Sequence, residues 1–307
     1  MILGKCRYCR KQIYYVVDRL EGAHGKCKRR NKSGIKKIVD KMRNFAEFGG
    51  DMQNLKSEIE AIAESSYIKD KDIGKHVFRG WESAARDLLH MDLRRDLADL
   101  PSDLWRWASP GPMWVASLPS ELEERNLNAV LGQFDLPEKK VRKCKAYSNL
   151  QRVPFLRNIS AGRFPTGITN SSGVNLNLAP SEKLIWIFTH VGYYEQLDSK
   201  QLESHDKIMR RGLGTDSHRL KYNETFKETD AGDMGLSTEH LYFVGHIHRF
   251  RIPFSKVALF DRDKSGITFV QDGPRSRPLQ FRLRETWFAY NLLVILMRRK
   301  QNLSEHI

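Results

Sequence analysis

The chain has 307 residues, 40% of them hydrophobic, enough to fill two domains and a small module and too apolar for a disordered chain. A net charge of +15 and a sequence pI near 9.7 favour an anionic partner, either nucleic acid or a membrane surface. The only long apolar run, WFAYNLLVILM at 287–297, is about half of the roughly 20 residues that span a bilayer, so no transmembrane helix is expected.

The first element is CRYCRKQIYYVVDRLEGAHGKCKRR, residues 6–30, which holds three of the four cysteines and a histidine. Cys6 and Cys9 form a C-x2-C knuckle, and His24 and Cys27 form an H-x2-C knuckle. Two tight pairs joined by a hairpin-length spacer place four soft or borderline donors at the corners of a tetrahedron, the geometry of Zn2+. With all four positions filled there is no place for water or substrate, so the set reads as structural zinc. Between the knuckles Gln12, Tyr14 and Val16 alternate with Ile13, Tyr15 and Val17 in a run suited to a short strand, and Gly22 and Gly25 supply the turn. A redox C-x2-C follows a strand and opens a helix, and nothing before Cys6 is long enough to be that strand. Disulfides imply export, yet MILGKCRYCRK has no apolar core of a signal peptide and no cleavage site, which leaves free thiols and a cytoplasmic location as the expectation. Cys144, in KKVRKCKAY, reads as a plain helix-surface or half-buried thiol.

After Cys27 a helical period sets in, with Ile35, Ile38, Val39, Met42, Phe45 and Phe48 near one face, until GGD at 49–51 breaks it. A second helix carries Leu55, Ile59, Ile62 and Ala63, and a third, from about Asp70, carries Ile73, Val77, Trp81, Ala84, Ala85 and Leu88. Residues 101–120 are rich in proline and tryptophan and read as an irregular connection. Ser120 and Glu123 then make a capping box for ELEERNLNAVLGQF. Residues 30 to about 160 thus read as all-helical. The glycine, serine and asparagine-rich passage RFPTGITNSSGVNLNLAPSEK reads as a linker or edge segment. Beyond it KLIWIFTHVGYYEQ, HLYFVGH, FRIPFSKVALFD, GITFVQD and LQFRLR are short apolar runs bounded by turn residues, the pattern of an antiparallel meander. The final TWFAYNLLVILMRRK is a helix that must cover something, the layout of a PH-like or GRAM-like module.

The order of Cys6, Cys9, His24 and Cys27, then SYIKDKDIGKHVFRGWESA, SEKLIWIFTHVGYYE and the hairpin from Leu241 to Phe254 resembles a group of bacterial proteins that pair a zinc-ribbon-like start with a PH/GRAM-like end. The likeness covers most of the chain; the segment 101–118 departs from it as an insertion. What it implies is an α+β chain: a basic zinc-ribbon-like module at 1–32, a helical domain at 33–160, and an antiparallel β domain closed by a helix at 161–307. It brings no reaction with it.

Three stretches invite a catalytic reading. In YFVGHIHRF, His246 and His248 form a G-H-x-H string like that of binuclear phosphoesterases, but the GNH[DE] strand end that such a site also needs is absent from the sequence. Two exposed histidines at a hairpin is therefore the expectation. THVGYYE offers His190 and Glu195 without a nucleophile motif, and RRGLGTD at 210–216 lacks the spacing of a phosphate-binding loop. No catalytic residue is assigned.

Charge carries more. Arg7, Arg10, Lys11, Lys26, Lys28, Arg29, Arg30 and Lys32 surround the proposed zinc site, with Tyr14 and Tyr15 as stacking surfaces, a dressing suited to nucleic-acid phosphates. A second basic set, Arg275, Arg277, Arg282, Arg284, Arg298, Arg299 and Lys300, lies in the β domain and suits anionic lipid or an acidic protein. The reading is a non-enzymatic bacterial adaptor that contacts nucleic acid through the N-terminal module and a protein partner through the PH-like domain. The alternatives are a peripheral membrane or signalling adaptor binding anionic lipid, and an accessory or sensor subunit of a bacterial anti-phage defence system.

Overall fold

A computed structural model of the chain describes residues 4–14, 21–89, 129–130, 132–134, 141, 143–165, 176–196, 226–262, 266–273 and 277–304. The proline and tryptophan-rich stretch, the capping box at Ser120 and Glu123, the RRGLGTD loop and Tyr15 lie outside these residues. The chain divides into two units, Met1–Leu93 with Leu118–Val153, and Arg94–Ser117 with Pro154–Ile307.

The first unit is built on α1 (Gly25–Phe48), α2 (Met52–Ser65) and α3 (Asp70–Leu88). Two consecutive glycines end α1: Gly49 at φ +74° returns its N–H to the Phe45 carbonyl, and Gly50 follows at φ +141°. Side chains rarely adopt such angles, so the chain can turn here because both residues lack a Cβ. Asp51 then caps α2 by accepting the N–H of Gln53 at 3.0 Å. Apolar residues at helical spacing bury Ile38, Met42 and Phe45 of α1, Leu55, Ile59 and Ala63 of α2, and Val77, Phe78 and Trp81 of α3. Phe48, expected on the same stripe, is instead 83% exposed, because the helix ends there before anything packs on it. Gly80 lets α3 approach α1 closely, since a Cβ there would lie 2.7 Å from the Val39 carbonyl and 2.8 Å from Met42 Cβ. α4 (Lys145–Ser160) runs across the division between the units, which falls at Pro154, a residue with no N–H for the helical ladder.

The second unit contains one curled antiparallel sheet of seven strands: β1 (Leu184–Gln196), β2 (Phe226–Ser237), β3 (His240–Gly245), β4 (Arg249–Pro253), β5 (Val257–Arg262), β6 (Gly266–Gln271) and β7 (Leu279–Arg282). Their order across the sheet is β4-β3-β2-β1-β7-β6-β5, so the long β1 joins two meanders. The meander expected from sequence is present, with two differences. FRIPFSKVALFD is not one strand but two, separated by a 3-10 turn at Phe254–Lys256, and FKETDAGDMGLS is an additional strand, β2. A register shift in β1 between Phe188 and Val191, with His190 at φ +56°, changes which residues face inward. Before it, Trp186 and Phe188 pack on Phe288; after it, Tyr193 packs with Phe243, Phe250 and Phe281. The closing helix α5 (Thr286–Ser304) buries every residue from Trp287 to Leu296, which accounts for the apolar run. No helix among the described residues is long and apolar enough to cross a membrane. The fold class is α+β.

Candidate metal centre

The N-terminal segment folds as a short hairpin, with Lys5 bridging Gln12 and the turn between them carrying Cys6 and Cys9. The Cys6 N–H bonds the Lys11 carbonyl at 2.8 Å, and the Arg10 N–H returns to the Cys6 carbonyl at 2.9 Å. Closing this knuckle holds Arg10 at φ +60°, a left-handed conformation that glycine adopts at less cost. The second ligand pair, read from sequence as another knuckle, lies at a helix start instead. His24 is the residue preceding α1, and Cys27 sits in its first turn; Gly25 belongs to the helix, and the turn before it is made by Gly22 at φ +63°.

The ligand atoms of Cys6, Cys9, His24 and Cys27 lie within 4.8 Å of one another, close enough to hold a metal ion. His24 Nδ1 is 3.4 Å from Cys9 Sγ and 3.8 Å from Cys27 Sγ. Zn–S bonds of about 2.3 Å and Zn–N bonds of about 2.0–2.1 Å at tetrahedral angles set a sulfur-to-nitrogen edge of about 3.6 Å, so these spacings are consistent with zinc. The other ring nitrogen, His24 Nε2, is 2.9 Å from the Gln12 carbonyl, which can only accept; the proton therefore sits on Nε2 and leaves the Nδ1 lone pair facing the sulfurs.

The thiols respond to this crowding. Burial pushes Cys6 up, but N–H groups of Cys9, His24 and Tyr8 outweigh it and bring it down to about 6. Burial and the neighbouring Cys9 and Cys6 thiols push Cys27 up to about 11. Three thiolates cannot share this volume without a cation among them, and a bound divalent metal removes that conflict. Among the described residues the local core is Cys6, Ile13 and Ala23, with Tyr8, Cys9 and Cys27 against it. Modules this small usually need a metal or disulfides to stay folded.

Around the four ligands, Arg7, Arg10, Lys11, Lys26, Arg29, Arg30 and Lys32 are exposed. Lys28 is half-buried and paired with Glu21 at 2.7 Å, which takes it out of the free set. Tyr14 stands 65% exposed beside them. The structure adds two residues that the sequence reading stopped short of. α1 continues beyond residue 32, and Arg29, Lys32 and Lys36, at helical spacing, fall on one face with Lys37 beside them, all exposed. Further along, Lys41 and Arg43 are neutralised by Glu58, Glu47 and Asp87. The signal was present in KSGIKKIVDK but is meaningful only once α1 is seen to run unbroken from the metal centre. No acidic side chain occupies the first turn of α1, so the positive pole of the helix adds to the patch.

Of the second basic set, Arg282 lies 4.0 Å above the Tyr194 ring and donates to Gln280 at 2.9 Å, and Arg299 donates to the Ser160 carbonyl at 3.0 Å. Both are used inside the fold. Arg277 and Arg284 are exposed, and Arg275 lies outside the described residues.

His246 and His248 occupy the turn between β3 and β4, where both lend backbone N–H groups; of the two side chains expected to be exposed, His246 is, whereas His248 is half-buried, its ring edge-on to Tyr193 and its Nδ1 3.5 Å from Asp230. The buried Asp230 carboxylate accepts N–H groups from Ala231, His246, Ile247 and His248 at 2.6–3.2 Å. His190 is exposed at the β1 bulge, and Glu195 accepts the Tyr193 hydroxyl at 2.6 Å. A Ser–Glu–His constellation not apparent in sequence also forms. Buried Glu182 accepts the Ser237 hydroxyl, the His240 ring at 2.9 Å and the Tyr242 hydroxyl at 2.7 Å. Ser237 is fully buried and receives the N–H groups of Glu239 and His240, so it shapes a turn rather than presenting a nucleophile. Cys144 is buried and faces Glu82 at 3.6 Å. Compared with protein-family models and with curated proteins, the chain matches none of them.

Proposed function

We propose that the protein is a non-enzymatic, zinc-stabilised binding protein that contacts nucleic acid through the basic surface around Cys6, Cys9, His24 and Cys27 and docks a protein partner through its sheet unit. The observation that carries this reading is the juxtaposition of four convergent metal ligands with exposed cations on the same hairpin and helix. Cys6, Cys9, His24 and Cys27 would hold a zinc ion that ties the hairpin to the first turn of α1, a structural role with all four side chains used as ligands. The cations on both elements are thereby held in one array, and phosphates are the anions such an array suits, with Tyr14 offering a ring for a base. Nothing in the array is a base-reading helix, so the binding is expected to be largely independent of sequence.

The PH/GRAM-like reading of the sheet is supported by the order β4-β3-β2-β1-β7-β6-β5 followed directly by an apolar helix. A binding role, rather than catalysis, is supported by the use of His246, His248, Ser237 and Glu182 in turn-forming bonds. The internal use of Arg282 and Arg299 weakens the anionic-lipid alternative for this unit.

The test is fluorescence anisotropy with a labelled single-stranded oligonucleotide before and after zinc is removed by a chelator. The expected result is binding that is lost with the metal and restored by adding zinc. Binding indifferent to metal removal, or binding to anionic vesicles in place of the oligonucleotide, would contradict the proposal.

A further inference from the structure

The outer face of the β3–β4 hairpin carries a groove of about 300 Å³. Its floor is Tyr242 and Val244 of β3; Arg249 and Arg251 of β4 stand directly across from them in register, and Leu176 and Asn177 form the opposite wall. That wall is held in place. Glu182, a few residues on, is anchored to Ser237, His240 and Tyr242, and Leu176 lies over Gly235, where a Cβ would come within 2.9 Å of it. The groove is therefore preformed.

Three features define its occupant. Arg249 and Arg251 are exposed and form no ion pair with a carboxylate among the described residues. They are two residues apart on a strand, so they point to the same face with a separation of about 6.6–6.8 Å. β4 is the terminal strand of the sheet, and among the described residues no strand pairs with its outer backbone edge. Arginines on an edge discourage pairing with a second copy of the same strand, and they admit a strand that brings carboxylates at alternate positions.

We infer that this groove and the adjoining β4 edge bind an extended, acidic peptide segment of a protein partner, with carboxylates at alternate residues facing Arg249 and Arg251. The inference rests on the reading of the sheet unit as the partner-docking half of the protein, and it names the site and the chemistry of the partner.

The experiment is fluorescence anisotropy of the full chain with a short labelled peptide of alternating glutamate and valine, against a peptide of alternating lysine and valine. The glutamate peptide should bind, and Arg249→Glu/Arg251→Glu should weaken it by roughly tenfold or more while allowing the lysine peptide to bind in its place. Oligonucleotide binding by the same variant should be unchanged, and its melting curve by circular dichroism should match that of the wild-type chain, which shows that the sheet unit is folded. Equal binding of the two peptides by the wild-type chain, or unchanged glutamate-peptide binding by the variant, would overturn the inference. Competition by inorganic phosphate as effective as that by unlabelled peptide would overturn it as well, by reducing the site to a simple anion site. Recovery of the same native-host partner by wild-type and variant chains would reject the groove and leave the docking role of the unit intact.

Discussion

The His248 backbone N–H donates to the Asp230 carboxylate at 2.6 Å, tying the β3–β4 turn to the middle of β2. Burial raises this carboxyl, but the N–H groups of His248, Ile247, Ala231 and His246 outweigh it and hold it at about 2. The ordinary value is near 3.9, so the folded state favours the charged form. Its contribution to stability is complete above about pH 4 and is lost as pH falls through about 2. Asp230→Asn should lower the melting temperature at neutral pH by several degrees and flatten its decline between about pH 4 and pH 2, followed by circular dichroism. Glu182, held low by the groups around it despite its burial, retains part of the acid sensitivity. His246→Ala should leave the same curve unchanged, because only the backbone of that residue is used.

Helix packing in the first unit can be tested with one kind of substitution at two places. Gly80→Ala drives a methyl group against the Val39 carbonyl and Met42, and should destabilise the protein by about 1–3 kcal/mol in urea unfolding. Gly132→Ala meets nothing within 4 Å among the described residues and should stabilise it by about 0.4–1 kcal/mol. Equal effects at the two sites would contradict the close approach of α3 to α1.

Arg10 combines a strained backbone with a proposed phosphate contact, and the two roles separate on substitution. Arg10→Gly should relieve up to about 1 kcal/mol of left-handed strain, seen as equal or higher thermal stability of the zinc-bound protein. The same change should remove up to roughly one unit from the salt dependence of oligonucleotide binding.

Legibility in the sequence followed the physics of each element. The four candidate metal ligands were visible because paired spacing is local, and α1 to α3 because their apolar residues recur at helical period between glycine and aspartate breaks. β2 was not. Its buried positions include Asp230, Gly235 and Ser237, whose burial depends on partners distant in sequence, so no alternation marks FKETDAGDMGLS as a strand. The Glu182 cluster was hidden for the same reason, since its partners lie 55 to 60 residues away. Placing His24 and Cys27 on a helix start required knowing where α1 begins, and the KCKRR charge run masks that boundary.

Zinc should be present at one ion per chain by elemental analysis. Cys9→Ser removes the sulfur that faces His24 Nδ1 at 3.4 Å, and should reduce the zinc content and the thermal stability together, as expected where metal binding is coupled to local folding. A variant that keeps full zinc and wild-type stability would show that the ligand set is a different one.

The most direct test of the account is the salt dependence of affinity for a labelled oligonucleotide, compared between the wild-type chain and Arg29→Ala/Arg30→Ala. If several phosphates are contacted, log affinity falls steeply with log salt, and the double variant flattens the slope by up to roughly one unit for each lost contact. Wild-type affinity and slope in the double variant would contradict the placement of the nucleic-acid surface beside the metal centre.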